Sequence, residues 1–426
     1  MLSWLSVARL GLVQMSLGAV VVLMTSTLNR LMVVELALPA VLPGLLVGLH
    51  YAIQLSRPAW GYRSDIAGNR TRWIVGGMAV LAAGGLTAAL GVMVMEGAFW
   101  PGLALSVLAY ALIGAGVGAS GTSLLALLAT ATHPRRRAAA ATITWLMMIF
   151  GIAVTATVAG RFLDPYSPAR LVEVVAVVCA LAVALTAAAV AGIERRVAPA
   201  APEPRPAPLR RGLAEVWAEP QARAFTTFVF LSMTAYFMQE LILEPYAGLV
   251  FGLTPGQTTQ LSGAQNGGVF LGMLAVGVAA TGLGLGSLRS WVVAGCLGSA
   301  AALVWIAALG QGAPGGIVAA AMTLGLFNGM FAVAAIGSMM ALAGQGRGAR
   351  EGTRMGLWGA SQAIAAGVGG LTGAAAVDVL RRLLTDDAAF GAVFLAEAGL
   401  FVLAAGLALR TLGAGTPRAG IMVPGE

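Results

Sequence analysis

An all-α membrane protein of twelve transmembrane helices, arranged as two six-helix bundles, is the fold class this sequence predicts. Three observations lead there. The 426 residues are 59% hydrophobic and only 10% charged, with a mean hydropathy of +0.88, so the bilayer and not water is the solvent for most of the chain. Apolar runs of about 20 residues or more recur along the whole length, each able to cross about 30 Å of hydrocarbon at about 1.5 Å per helical residue. Strand-like alternation is missing, which excludes a barrel in favour of helices.

Taken in order, the first six spans fall at 11–35, 39–61, 73–95, 100–131, 138–160 and 170–193. A stretch rich in Pro and charge follows at 194–223, reading as a linker with a short surface helix around Leu213 to Trp217. The second six fall at 224–251, 258–284, 290–311, 315–344, 355–380 and 388–410. The expected organisation is therefore an N-terminal bundle (1–193), a cytoplasmic linker (194–223), a C-terminal bundle (224–411) and a tail (412–426).

Charge predicts orientation. All 25 basic residues are arginine. With a cytoplasmic N-terminus, only Arg161, Arg170, Arg381 and Arg382 fall outside, Arg30 and Arg57 lie within or at the ends of spans, and the rest occupy cytoplasmic loops and tails. The positive-inside rule thus predicts both termini and the linker in the cytoplasm. The net charge of +8 fits anionic lipid at that face and gives no reason to expect nucleic acid. The start, MLSWLSVARL, lacks a basic stretch ahead of an apolar core and does not read as a removable signal. Cys179 and Cys296 sit singly in different spans and read as small buried apolar residues.

Six and six helices around a cytoplasmic linker is the layout of a major facilitator. After the second span, Gly61, Arg63, Asp65, Gly68, Arg70 and Arg72 resemble the facilitator signature of a tight glycine turn, an Asp near helix ends and paired basic residues, expected to act as a cytoplasmic gating loop. Span 1 ends TLNRLMVVELALP (27–39) and span 7 ends MQELILEPYAGLVFGL (238–253). Each places an amide beside a charged residue, Asn29–Arg30 and Gln239–Glu240, followed by Glu35 or Glu244. Near helix ends Arg30, Glu35 and Glu244 can snorkel to the interface at low cost, whereas Glu240, a turn deeper, should face the bundle interior. Pro245 should loosen span 7 at this point.

LNRLMVVEL, QELILEPYAGLVFGL, GYRSD, DPYSPARLVEVV and MGLWGASQAIAAGVGG together resemble the PucC family, including its LhaA-like members, over nearly the entire chain. These are bacteriochlorophyll-delivery relatives of the major facilitators. The resemblance implies an inner, intracytoplasmic photosynthetic membrane, with bacteriochlorophyll or a precursor as the ligand carried. Its partners would be light-harvesting apoproteins or enzymes of bacteriochlorophyll synthesis. A short loop between spans 2 and 3, and ATHPRRRAAA between spans 4 and 5 without acidic residues, point toward the branch linked to late synthesis.

Such a ligand is a flat apolar ring whose Mg²⁺ takes an axial oxygen or imidazole ligand, so the residues sought are a His, an amide or a carboxylate near aromatics. The candidate pocket residues are Asn29, Arg30, Glu35, His50, Gln239, Glu240, Glu244, Tyr246, Asn328, Trp358 and Gln362; the pigment metal could be met by Glu240, Glu244 or His50, and no metal site of the protein's own is expected. For His50 and Asn328 interhelical hydrogen bonding is the commoner use, and Trp358 can equally be packing near an interface. Glu397 also counts to mid-depth in span 12. With two His, two Cys and no Lys, catalytic arrangements are not apparent and an enzyme is not expected. Two other readings stay open: a proton-coupled transporter of a small solute, in which Glu240 or Glu35 titrates, and a pigment-free docking partner of photosynthetic membrane proteins.

Overall fold

The structure, a computed structural model, describes residues 2–57, 60, 69–133, 136–194, 217–312, 316–343 and 351–412. Among them there is no strand. The helices are α1 (Trp4–Glu35), α2 (Val41–Gln54), α3 (Arg70–Met95), α4 (Phe99–Ala131), α5 (Arg137–Leu163), α6 (Pro168–Val190), α7 (Pro220–Phe251), α8 (Pro255–Val276), α9 (Leu288–Leu309), α10 (Ile317–Ala343), α11 (Glu351–Leu380) and α12 (Asp386–Thr411). Eleven of these are long and apolar enough to cross a membrane.

The exception is α2, 14 residues long where the sequence predicts a span over 39–61. Its regular turns end at Gln54, where the Leu55 and Ser56 N–H groups turn back to the Ala52 and Ile53 carbonyls at 3.1 and 3.0 Å. At the other extreme α1 begins at Trp4, ahead of the expected 11, because Ser3 caps it by accepting a hydrogen bond from the Ser6 N–H.

The chain divides into two compact units. One comprises Met1–Pro202 together with Leu243–Asn266; the other comprises Glu203–Ile242 and Gly267–Glu426. Within the first, α3 packs closely on α4, α1 on α5, and α6 on both α1 and α3. The α3–α4 contact shows how such sequences pack: Gly77, Gly84 and Gly91, seven apart, face Gly116, Ala109 and Gly102 of α4, where any Cβ would strike backbone atoms. Without a hydrophobic drive between helices in lipid, close backbone approach through small residues supplies the contact energy. Within the second unit, α9 packs against both α10 and α12.

Candidate functional site

Helix α1 departs from α-geometry where its polar residues lie. Two π turns, Leu23–Thr27 and Leu31–Glu35, flank the short α-helical stretch Leu28–Arg30. Each π turn inserts an extra residue and rotates the side chains that follow, a distortion that costs hydrogen-bond geometry and is common at functional positions. Ser26, Thr27 and Arg30 are all enclosed and engage Leu243–Asn266 within the first unit.

Three residues of α1 define the junction. Ser26 Oγ donates to Glu244 Oε1 and stands 2.9 Å from Ser262 Oγ of α8. Thr27 Oγ1 and Thr259 Oγ1 are 3.0 Å apart. The Arg30 guanidinium pairs with Glu35 and donates through Nη2 to the Leu253 carbonyl at 2.9 Å. That carbonyl is aimed by Gly252, which leaves α7 at φ +66°, a conformation a side chain would strain. A Cβ at Gly248 would lie 3.2 Å from Arg30 Nε and Nη2 and 3.1 Å from Val34 Cγ2, so this glycine makes the space in which the guanidinium rests.

The start of α8 is fixed from the same side. Asp164 Oδ2 accepts from Thr254 Oγ1 at 2.6 Å and Oδ1 from the Gly256 N–H at 3.1 Å, while Thr254 and Gln257 satisfy each other's backbone N–H groups. A carboxylate and a capping box together meet the orphan donors and positive end of that helix.

The expected site residues divide accordingly. Arg30 is 3% and Glu244 2% exposed, so neither snorkels; Glu35 alone is open, with 38% of its side chain exposed. It borders a cleft of about 380 Å³ with Leu36, Leu38, Met95, Glu96 and Phe99. Nearby, Tyr166 donates to Glu96 at 3.5 Å; burial, then the negative charge of Glu96 and Glu35, pushes its hydroxyl up to about 12. Asn29 is enclosed beside Arg30, and Tyr246 is enclosed with its ring edge-on to Phe251 at 5.3 Å. Gln239 and Glu240 belong to the other unit, the first enclosed and the second half-buried.

His50 lies apart from this cluster, enclosed in α2 with Gln54 Nε2 donating to its Nε2 at 2.7 Å. In the second unit Asn328 Oδ1 accepts from Ser299 at 2.8 Å, Trp358 is enclosed and edge-on to Phe225 at 4.9 Å, and Gln362 is half-buried. Of the expected gating loop, Gly61, Arg63, Asp65 and Gly68 lie outside the described residues, as does most of the surface helix expected near Leu213. Arg70 begins α3 and donates to the Ala126 carbonyl at 3.1 Å; Arg72 follows, its N–H capped by Asn69 at 3.2 Å. Sequence reasoning missed Ser26, Thr259 and Ser262, although the i,i+3 spacing of the last two in α8 places their hydroxyls on one helical face.

Helical spans of this number and packing define a multi-pass membrane protein of the major facilitator type. A POT family transporter in complex with a thioalcohol-conjugated peptide matches at TM-score 0.71 and 13% identity, covering 96% of each chain. A bacterial homologue of the human lysosomal transporter Spinster matches at TM-score 0.65 and 15% identity, covering 95% of this chain and 96% of that one. The sequence goes further than the fold: the profile of the family described as PUCC protein matches residues 27–415, and the chain belongs to that family. It is 66% identical to the "Bacteriochlorophyll synthase 44.5 kDa chain" of Rhodobacter capsulatus over the full length of both, and 29% identical to "Protein PucC" of the same organism over 85% of this chain and 81% of that protein.

Proposed function

We propose that this protein serves photosynthetic membrane biogenesis by holding bacteriochlorophyll, or a late precursor, and passing it to light-harvesting apoproteins or between enzymes of pigment synthesis. It handles the pigment and leaves its bonds unchanged. The observation that carries the reading is the family match across 27–415, joined to the full-length likeness to a protein named for bacteriochlorophyll synthase. The residue proposed to meet the pigment metal is Glu240, an oxygen donor half-buried on α7.

The test is an absorption spectrum of the protein purified in mild detergent from a pigment-producing membrane. A near-infrared bacteriochlorophyll band should co-purify near one pigment per chain and fall at least several-fold in Glu240→Ala. A colourless, well-folded wild-type preparation overturns pigment carriage. A band unchanged in Glu240→Ala removes that residue from the site.

A further inference from the structure

Glu397 has no place in the site just described. It lies in the middle of α12, fully enclosed, and none of the described residues offers a hydrogen-bond partner to either of its carboxyl oxygens. An ionised carboxylate in that setting is strongly disfavoured, because lipid-embedded protein returns none of the hydration it loses.

Its neighbours follow from the register of three helices in the second unit. Gly295 and Gly298 of α9 lie against Phe331 and Phe327 of α10, and Ser299 bonds Asn328, so α9 and α10 are antiparallel. Along α12, a Cβ at Gly391 would stand 3.8 Å from Ala307 Cβ, near the end of α9, while the Phe401 ring meets Phe331 at 5.8 Å, near its start. Hence α12 is also antiparallel to α9, and α10 and α12 run the same way. Asn328 precedes Phe331 by three residues and Glu397 precedes Phe401 by four, one helical turn in each case. Ser299, Asn328 and Glu397 therefore share one layer, with the Phe331–Phe401 pair beneath it. Asn328 brings a second orphan into that layer, its Nδ2, since its Oδ1 already accepts from Ser299.

Titratable groups that could hold a charge on Glu397 are far or neutral. Among the described residues, α9 contributes Cys296 about a turn away and Arg289 at its start, α10 contributes none, α7 brings Tyr236 to 6.4 Å from the Phe331 ring with Glu240 a turn further on, α11 carries Glu351 and Arg354 at its start and Asp378 near its end, and α12 itself carries Asp386, Asp387 and Arg410 at its ends.

We infer that Glu397 is a proton-binding site, a neutral carboxylic acid that shares its layer with the orphaned amide of Asn328. The proton leaves to water only when α12 separates from α9 and α10 and lets water into the layer. This role is independent of pigment carriage.

Infrared spectroscopy of the purified full-length protein near neutral pH tests it. The wild-type spectrum minus that of Glu397→Gln should show the carbonyl stretch of one protonated carboxylic acid, moving on transfer to heavy water. Only ionised-carboxylate bands in that difference, or no acid band in it, would overturn the inference. Should Glu397→Gln fail to fold, Asn328→Ala gives the second reading. The acid band is expected to shift because the carboxyl loses its amide neighbour, and an unmoved band sinks the assignment.

Discussion

At the level of single residues, the junction between α1 and 243–266 turns on Arg30, Glu244 and the space left by Gly248. Replacing Gly248 with Ala brings a methyl group to 3.2 Å from the guanidinium, so either Arg30 or α7 must shift. The expected loss is about 1–3 kcal/mol, read as a lower thermal midpoint in detergent. Glu244→Ala strips Ser26 of its buried acceptor and should cost about 1–3 kcal/mol, while Glu244→Gln, keeping an acceptor oxygen, should cost less. Equal losses for the two would show that the carboxamide cannot replace the acid. Both motifs were legible because a charge inside an apolar run stands out. Their hydroxyl partners were not, since Ser and Thr in membrane helices commonly bond their own backbone, as Ser232 does with Phe228, and composition does not distinguish that use from a cross-helix contact. Snorkelling is the expectation for three residues near helix ends, yet Arg30 and Glu244 are enclosed, and Arg30 donates to a carbonyl that only the fold reveals.

Among the helices themselves, side chains distant in sequence secure the ends. Arg9 reaches the Ala188 and Ala191 carbonyls at 3.3 and 2.6 Å, closing the last turn of α6. Glu194 does the converse for α3, accepting from the Arg70 and Thr71 N–H groups at 2.8 and 2.9 Å. Burial alone would raise this carboxyl, but the Thr71 and Arg70 hydrogen bonds and the Arg70 charge outweigh it and hold it below the ordinary value of 4.5. A depressed folded-state value means the clamp contributes fully above 4.5 and is lost as pH falls through the depressed value. Wild type should therefore exceed Glu194→Gln in thermal midpoint near about pH 6, and the gap should close toward about pH 3. A gap that stays constant would mean the carboxylate charge is irrelevant there. Spans were legible from hydropathy to within a few residues except at the start of α1 and the ends of α2 and α8, because hydropathy registers apolar length and is blind to the caps and turns that set where a regular helix begins and stops. Such end clamps were illegible, as no local pattern links Arg9 to residue 191.

For the molecule as a whole, the sequence suggested two bundles joined by a linker at 194–223, whereas the first compact unit also contains Leu243–Asn266. Co-expressed 1–202 and 203–426 should assemble and co-purify, because Glu244, Leu253, Thr259 and Ser262 find their partners in α1 without the linker. Fragment 1–202 alone, with Ser26 and Arg30 deprived of those partners, should be recovered at several-fold lower yield. Failure of the pair to co-purify would mean that the linker positions the segment. Of the α7 residues, those to Ile242 belong to one unit and the remainder to the other. The same division sets a rule for building chimeras from relatives of this family. Exchanging everything before the linker would separate LNR from the EPYAG that answers it, so a workable hybrid must transplant 243–266 along with the amino-terminal half. The heritable module here is discontinuous in the gene although contiguous in space.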